Sequence, residues 1–323
     1  MSDSLSGVTS SRSVRGLPAV VWVAATVQLI WLSVTLNGGG ASGWQSAWPI
    51  ALTMVLGSFI AGATSEGGGA VAFPVLTLLF AVVPHEARDF SWLIQAVGMN
   101  AAGFVIWRSA TPVVRAALLP ATLGGAVGVA LGLWGLRGLF DPAQLKLGFT
   151  SVWVAFAGVL VWSLRSRAAS QPRQVHAAGV FAVAVLGGLV SSLFGTGLDI
   201  CVFSWLVLRC GVDERIATPT SVVLMGWNAA IGVGMRSVEA APFSAEVLSW
   251  WWACVPVVVW GAPLGARWLR GKSRRVVVTI LVTSIIAQYV GALAILPLSA
   301  SLLIMSLITV GGFGATFAWM ARR

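Results

Sequence analysis

Gly98-Met99-Asn100-Ala101-Ala102-Gly103-Phe104-Val105-Ile106-Trp107-Arg108-Ser109 returns 128 residues later as Gly226-Trp227-Asn228-Ala229-Ala230-Ile231-Gly232-Val233-Gly234-Met235-Arg236-Ser237. Seven of these twelve positions are identical. A chain rich in Ala, Gly and Val yields some matches by chance, but Asn, Arg and Ser in register point to an internal duplication. The same offset lays Gly67 on Gly195, Gly69 on Gly197 and Glu86 on Glu214.

The surroundings of the two copies set the class. Of 323 residues, 58% are hydrophobic and 9% charged, with a mean hydropathy of +0.90. Soluble domains carry about 25% charged residues, so a soluble enzyme is excluded. Long apolar runs recur along the chain and mark a polytopic helical membrane protein. The 17 Trp suit interfacial belts, and the 37 Gly suit close helix packing and broken helices. The net charge of +10 would point to nucleic acid in a soluble chain. Here the basic residues sit in short loops, so no nucleic-acid partner is expected. Cys201, Cys210 and Cys254 lack ligand spacing, which argues against a disulfide framework or zinc site.

Residues 1–17 read as a disordered cytoplasmic N-terminus, followed by an apolar run at 18–36. A cleavable signal peptide competes for that run, but about 19 apolar residues favour a retained helix. Further full-length candidates are 90–107, 113–134, 145–164, 216–235, 246–266, 276–296 and 299–320. Each reaches roughly 27–33 Å at 1.5 Å per residue. Two pairs of shorter stretches remain, 48–64 with 70–83 and 177–194 with 199–210. Gly67-Gly68-Gly69 interrupts the first pair and Gly195-Thr196-Gly197 the second. The pattern leaves open whether each pair is a re-entrant hairpin or two thin spans.

With both termini in the cytoplasm, the inside segments hold 16 of the 20 Lys and Arg residues. Arg88, Arg137, Lys146 and Arg236 fall outside. Each repeat unit, 48–164 and 177–296, then contains one broken pair plus three spans, and the two units point in opposite directions. The expected fold is all-α and polytopic: two inverted-topology repeats, each with a broken or re-entrant pair plus three transmembrane helices, and one extra helix at each end (18–36 and 299–320). Secondary transporters are often built this way, with the substrate near the midplane where the breaks meet.

The breaks supply the candidate site. Backbone unpaired within lipid is tolerated only where protein buries it or it lines a cavity. Helix starts at Gly67, Gly68 and Gly69 and at Gly195, Thr196 and Gly197 would present free amides and positive dipole ends to a small oxyanion. Packing of small residues is the competing role for these glycines. Ser65 and Ser192 offer hydroxyls near the breaks. Asn100 and Asn228 offer amides from the first full span of each unit, where stitching helices together is the alternative. Glu66 and Asp199 are the two ionisable residues inside the apolar runs, and each adjoins a break. A carboxylate beside an anion site repels the anion unless protonated, which makes both candidates for proton coupling. Capping of its own helix is the competing role for Asp199.

The break Gly67-Gly68-Gly69 with Pro74 five residues on, and Ala217-Thr218-Pro219-Thr220-Ser221 downstream in unit 2, resemble the TauE/SafE family of sulfite exporters, also called the 4-toluene sulfonate uptake permease family. The resemblance spans about 48–296. Two stretches depart from the family pattern: Gly195-Thr196-Gly197-Leu198-Asp199 replaces the glycine cluster, and Ala87-Arg88-Asp89-Phe90-Ser91 replaces Ala-x-x-Thr-Ser. The resemblance implies a multi-pass plasma-membrane secondary transporter, in most cases bacterial, for sulfite, organosulfonates or related sulfur anions.

The expected partners are therefore a small anionic substrate and the lipid bilayer, with no cofactor or metal. Oligomeric state is left open, a homo-oligomer included. An anion channel and a non-transport assembly protein are the alternatives. An intramembrane enzyme would need a nucleophile and base in reach of each other, and no such spacing is present.

Overall fold

The computed structural model describes residues 11–64, 67–166, 174–239, 243–269 and 272–321. Among these every regular element is helical. The chain runs α1 (Ser11–Leu36), α2 (Trp48–Ala63), α3 (Gly67–Pro74), α4 (Pro84–Arg108), α5 (Arg115–Gly135) and α6 (Pro142–Ser166). It continues through α7 (Ala177–Phe194), α8 (Leu198–Ser204), α9 (Glu214–Ser237), α10 (Ala245–Leu269), α11 (Arg274–Ile295) and α12 (Ala300–Ala321). Ten helical stretches among the described residues are long and apolar enough to cross a membrane. The helix α1 is bounded at Ser11 and Leu36, and its stretch of membrane-crossing length is Pro18–Leu36. Residues 1–10 lie outside the described residues.

The two broken pairs share a construction. After α3 a wide π-turn covers Val75–Leu79, and after α8 another covers Trp205–Arg209. The Phe80 amide donates to Val75 O and the Cys210 amide to Trp205 O, five residues back in each case. The following helices begin at Pro84 and Glu214. Val75 with Trp205, Ala81 with Gly211 (both at positive φ) and Pro84 with Glu214 all stand 130 residues apart. Structural correspondence therefore runs at 130, not at the 128 of the best sequence match. In this register Gly67 corresponds to Gly197 and Ser91 to Ser221, while Asn100 falls on Ala230. The two asparagines are not equivalent.

Contacts set the direction of each helix. In α4 and α9, Asp89 meets Arg236, Trp92 meets Gly232 and Asn100 meets Gly226, so these helices cross antiparallel. They start on opposite faces of the bundle, here the Pro84 face and the Glu214 face. Against α10, α2 runs parallel, with Gly40 by Trp252, Ser58 by Gly261 and Ala63 by Gly265. Because α10 begins where α9 ends, α2 enters from the Pro84 face, and α3 leads back to Pro84 on that face. The mirror arrangement holds for α7, which runs parallel to α5 through Gly124–Phe181, Gly128–Val185 and Gly132–Ser192. Each pair thus folds back as a hairpin that enters and leaves the bundle on one face, the first on the Pro84 face and the second on the Glu214 face.

Glycine lets these helices touch backbone to backbone. Gly128 lies against Val185 O and Gly188 Cα, and Gly62 lies against Ala262 O. An aromatic cluster braces the first hairpin: Phe149 stacks on Trp153 at 4.2 Å, and Phe73 and Phe194 pack against Phe149 at 5.0 and 5.3 Å. On the flank, Trp31 Nε1 donates to Trp252 O and Trp252 Nε1 to Thr35 Oγ1, which ties α1 to α10. The lipid-facing character of α1, α11 and α12 follows from their many exposed apolar side chains.

Gly128→Leu should push α5 off α7, where overpacking costs roughly 1–3 kcal/mol or more. The expected outcome is a lower melting temperature of the purified protein, read by intrinsic tryptophan fluorescence; Gly314→Leu, which meets nothing within 4 Å, should leave it unchanged.

Candidate functional site

Each hairpin stops where its backbone has to turn. The helix α7 closes on Gly195, whose φ of +78° lies in the left-handed region and whose amide donates to Ser191 O at 2.7 Å. Gly197, at φ +138°, then opens α8. In unit 1, Thr64 ends the extended tail of α2 and Gly67, at φ +83°, opens α3. A Cβ placed on Gly69 would lie 2.8 Å from Thr196 Cβ and 3.2 Å from Ser91 Cβ. The two breaks therefore touch, beside α4 at a depth of about 16 Å from its start.

Gln95 fills the junction. Its Nε2 donates to Ser91 O and to Gly195 O, both at 2.8 Å, and two carbonyl acceptors determine which way the amide faces. Its Cγ packs on Gly68, and its Oε1 stands 3.1 Å from where a Gly67 Cβ would be. That oxygen has no hydrogen-bond partner. Met225, the counterpart of Gln95 in α9, packs its sulfur on Gly67. Since α3 runs toward the Pro84 face and α8 toward the Glu214 face, their N-termini point at each other across Gln95. The positive ends of two helix dipoles converge there.

Asp199 fastens the second break. Its Oδ1 accepts from the Gly197 amide at 2.8 Å and from the Thr196 hydroxyl at 3.2 Å. Its Oδ2 is buried with no hydrogen-bond partner. Ser221 Oγ donates to Asp199 O, which adds α9 to the junction.

The other candidates lie elsewhere. Ser192 donates to Leu189 O and presses on Gly132 of α5, away from Gly69. Asn228 donates to Ser191 Oγ, which also accepts from Trp92 Nε1. Asn100 stitches α4 to α9 by donating to Gly226 O at 2.9 Å. Ser65 and Glu66 lie outside the described residues. Around Gly68, Gln95 and Met99 the free space is only about 10 Å³, at the lower limit for one water. The junction is occluded. A much larger cavity of about 820 Å³, lined by Asn100, Phe104, Trp107, Thr111, Arg115 and Trp227, opens at the Glu214 face.

Sequence reading passed over two features. Gln95 is a lone amide midway along an apolar span, a signal the sequence carries. Asp89 was lost because that span was drawn from residue 90, whereas α4 begins at Pro84. Arg236, expected at a span end, is buried and donates from Nε to Asp89 Oδ2 at 3.0 Å.

The family model described as "Sulfite exporter TauE/SafE" matches residues 50–290. No curated protein and no solved structure matches the chain.

Gln95→Leu keeps the bulk but leaves Gly195 O buried without its donor. A loss of roughly 1–3 kcal/mol is expected, measured as a lower melting temperature than that of the parent protein. Gln95→Glu, able to donate only when protonated, should melt closer to the parent at acidic pH than at pH 8.

Proposed function

The chain belongs to the sulfite exporter TauE/SafE family, and on that premise we propose that it is an alternating-access secondary carrier for a small sulfur oxyanion, sulfite or an organosulfonate. Membership makes it a multi-pass membrane transport protein. One observation carries the finer reading: two re-entrant hairpins from opposite faces bring their helix N-termini together at one buried junction. The starts of α3 (Gly67, Gly68, Gly69) and of α8 (after Gly195, Thr196 and Gly197) turn their positive dipole ends to the junction, and the donors of Thr196, Gly197 and Gln95, which in this closed state serve Asp199, Ser91 O and Gly195 O, are the ones an entering oxyanion would take over. An oxyanion held there is stabilised by hydrogen-bond donors and by two dipole ends without meeting a cationic side chain that would trap it. Release to either face then needs only a relative motion of the hairpins.

Closed packing at the junction favours a carrier over an open anion channel. The Asp199 oxygen without a donor leaves a place for a proton beside the anion, so Asp199 is the coupling residue of this reading; Glu66 keeps the same proposed role. The arrangement of basic residues supports the Glu214 face as cytoplasmic, with both termini on that side, in the plasma membrane of a bacterium.

Purified protein in proteoliposomes provides the test. Sulfite uptake should saturate with concentration and show counterflow. Gly68→Phe and Thr196→Phe should each reduce it at least about tenfold while the protein still elutes as a single species. Asp199→Asn should flatten the dependence of uptake on an imposed pH gradient. Non-saturating flux without counterflow would instead identify a channel, and undiminished uptake by the two Phe variants would remove the junction as the site.

A further inference from the structure

The bundle is closed differently at its two faces. At the Glu214 face, the Val114 amide in the loop between α4 and α5 donates to Thr220 Oγ1 of α9 at 2.9 Å, next to the 820 Å³ cavity. At the Pro84 face an ion-pair cluster joins α4 and α9. Asp89 Oδ1 accepts from Arg88 Nε at 2.9 Å and Nη2 at 2.7 Å, and Asp89 Oδ2 accepts from Arg236 Nε at 3.0 Å. Arg236 and Arg137 both reach Glu239 at 3.4 Å. The Asp89 and Arg236 side chains are 3% and 7% exposed, so this pair is shielded from solvent. In the 130-residue register Asp89 falls on Pro219 and Arg236 on Ile106, so this pair is not repeated at the equivalent positions of the other face.

The cluster is wired to the substrate junction. Arg88 Nη1 donates to Ser192 O, three residues before Gly195, and the Arg88 carbonyl packs on Gly195 itself. Its guanidinium lies 5.2 Å above the Trp92 ring, and Trp92 Nε1 donates to Ser191 Oγ. Three arginines face two carboxylates, which leaves one positive charge in excess. Three guanidinium N–H groups from two helices converge on a single carboxylate. Guanidinium forks accept any oxyanion of similar size, and a sulfite or sulfonate presents three oxygens where Asp89 presents two.

We propose that Arg88 and Arg236 form a second anion site at the Pro84 face, held shut by Asp89 as a tethered occupant that a sulfur oxyanion displaces to unlatch that face. The proposal rests on the carrier reading above for the identity of the anion. With Asp89 in place the two units are clamped at this face. An arriving anion takes over the arginine donors, Asp89 swings free, and the charge balance of the buried pair is preserved throughout. Occupation of the site and opening of the face are then one event.

Iodoacetamide labelling of Ser91→Cys provides the readout, because Ser91 is fully buried between the cluster and Gly195 and the native Cys201, Cys210 and Cys254 are buried. In purified protein this cysteine should label slowly. Asp89→Asn and Arg236→Gln should each raise the rate at least about tenfold, whereas Asp89→Glu, which keeps the carboxylate, should stay within about twofold of the parent. Methanesulfonate should raise the rate in the parent, and Arg88→Gln should abolish that response. Unchanged labelling in both Asp89→Asn and Arg236→Gln, or no response of the parent to methanesulfonate, overturns the latch. Because labelling needs no transport, saturable sulfite uptake alongside an inert cluster would leave the carrier intact and remove only the latch. A responsive cluster in a protein that moves no sulfite would do the reverse.

Discussion

Two helices stop halfway through an apolar bundle, and the backbone groups they release must be satisfied where no water is assured. That requirement organises the centre of the molecule. Gly195 closes α7 by returning its amide to Ser191 O, and the carbonyl it frees is taken by Gln95. Asp199 spends one carboxylate oxygen on the Gly197 amide and the Thr196 hydroxyl. The same Gln95 amide also holds Ser91 O of its own helix, so α4 serves as the post to which the second hairpin is fastened. On the other side of the post lie Gly67, Gly68 and Gly69, where any side chain would collide with Gln95, Met225 or Thr196. Glycine is needed at these positions because the two breaks share one crowded space.

From this arrangement follows a division between binding and closure. The junction is built from amides, hydroxyls, dipole ends and the Asp199 carboxyl, which in the proposed carrier would hold an anion loosely enough to let it leave. At the Pro84 face Arg88, Asp89 and Arg236 clamp α4 to α9. Burying such a pair stabilises the bundle little on balance, but removing one partner strands the other. That property suits a contact meant to be exchanged rather than merely retained. The large cavity opens at the Glu214 face.

The duplication is deeper than its residues. Paired π-turns, paired positive-φ positions and paired helix starts agree on an offset of 130 residues, while the eye-catching match of Gly98–Ser109 with Gly226–Ser237 runs at 128. A slip of two residues turns a side chain by roughly 200° around a helix. Asn100 therefore faces the backbone of α9 while Asn228 faces Ser191 on α7. In Ala- and Gly-rich helices, residue identity is weakly tied to position, whereas the turn that ends a re-entrant helix tolerates few backbone solutions and so preserves its spacing.

Much was legible in the chain itself: its membrane nature, its apolar spans, the two glycine breaks and the resemblance to a transport family. Those are properties of composition and local order, since a bilayer rewards apolar length wherever it occurs and a helix breaks where its own residues demand it. What required the folded chain were the relations between distant segments. Hydropathy reads the same for a thin span and a re-entrant hairpin, and the choice came from which neighbour each helix runs beside. Gln95 became central only when Gly195, a hundred residues away, needed a donor. Asp89 and Arg236 lie 147 residues apart, and only the antiparallel crossing of α4 and α9 sets one against the other. Partners for buried polar groups are chosen by proximity in space, which the order of residues along the chain does not specify.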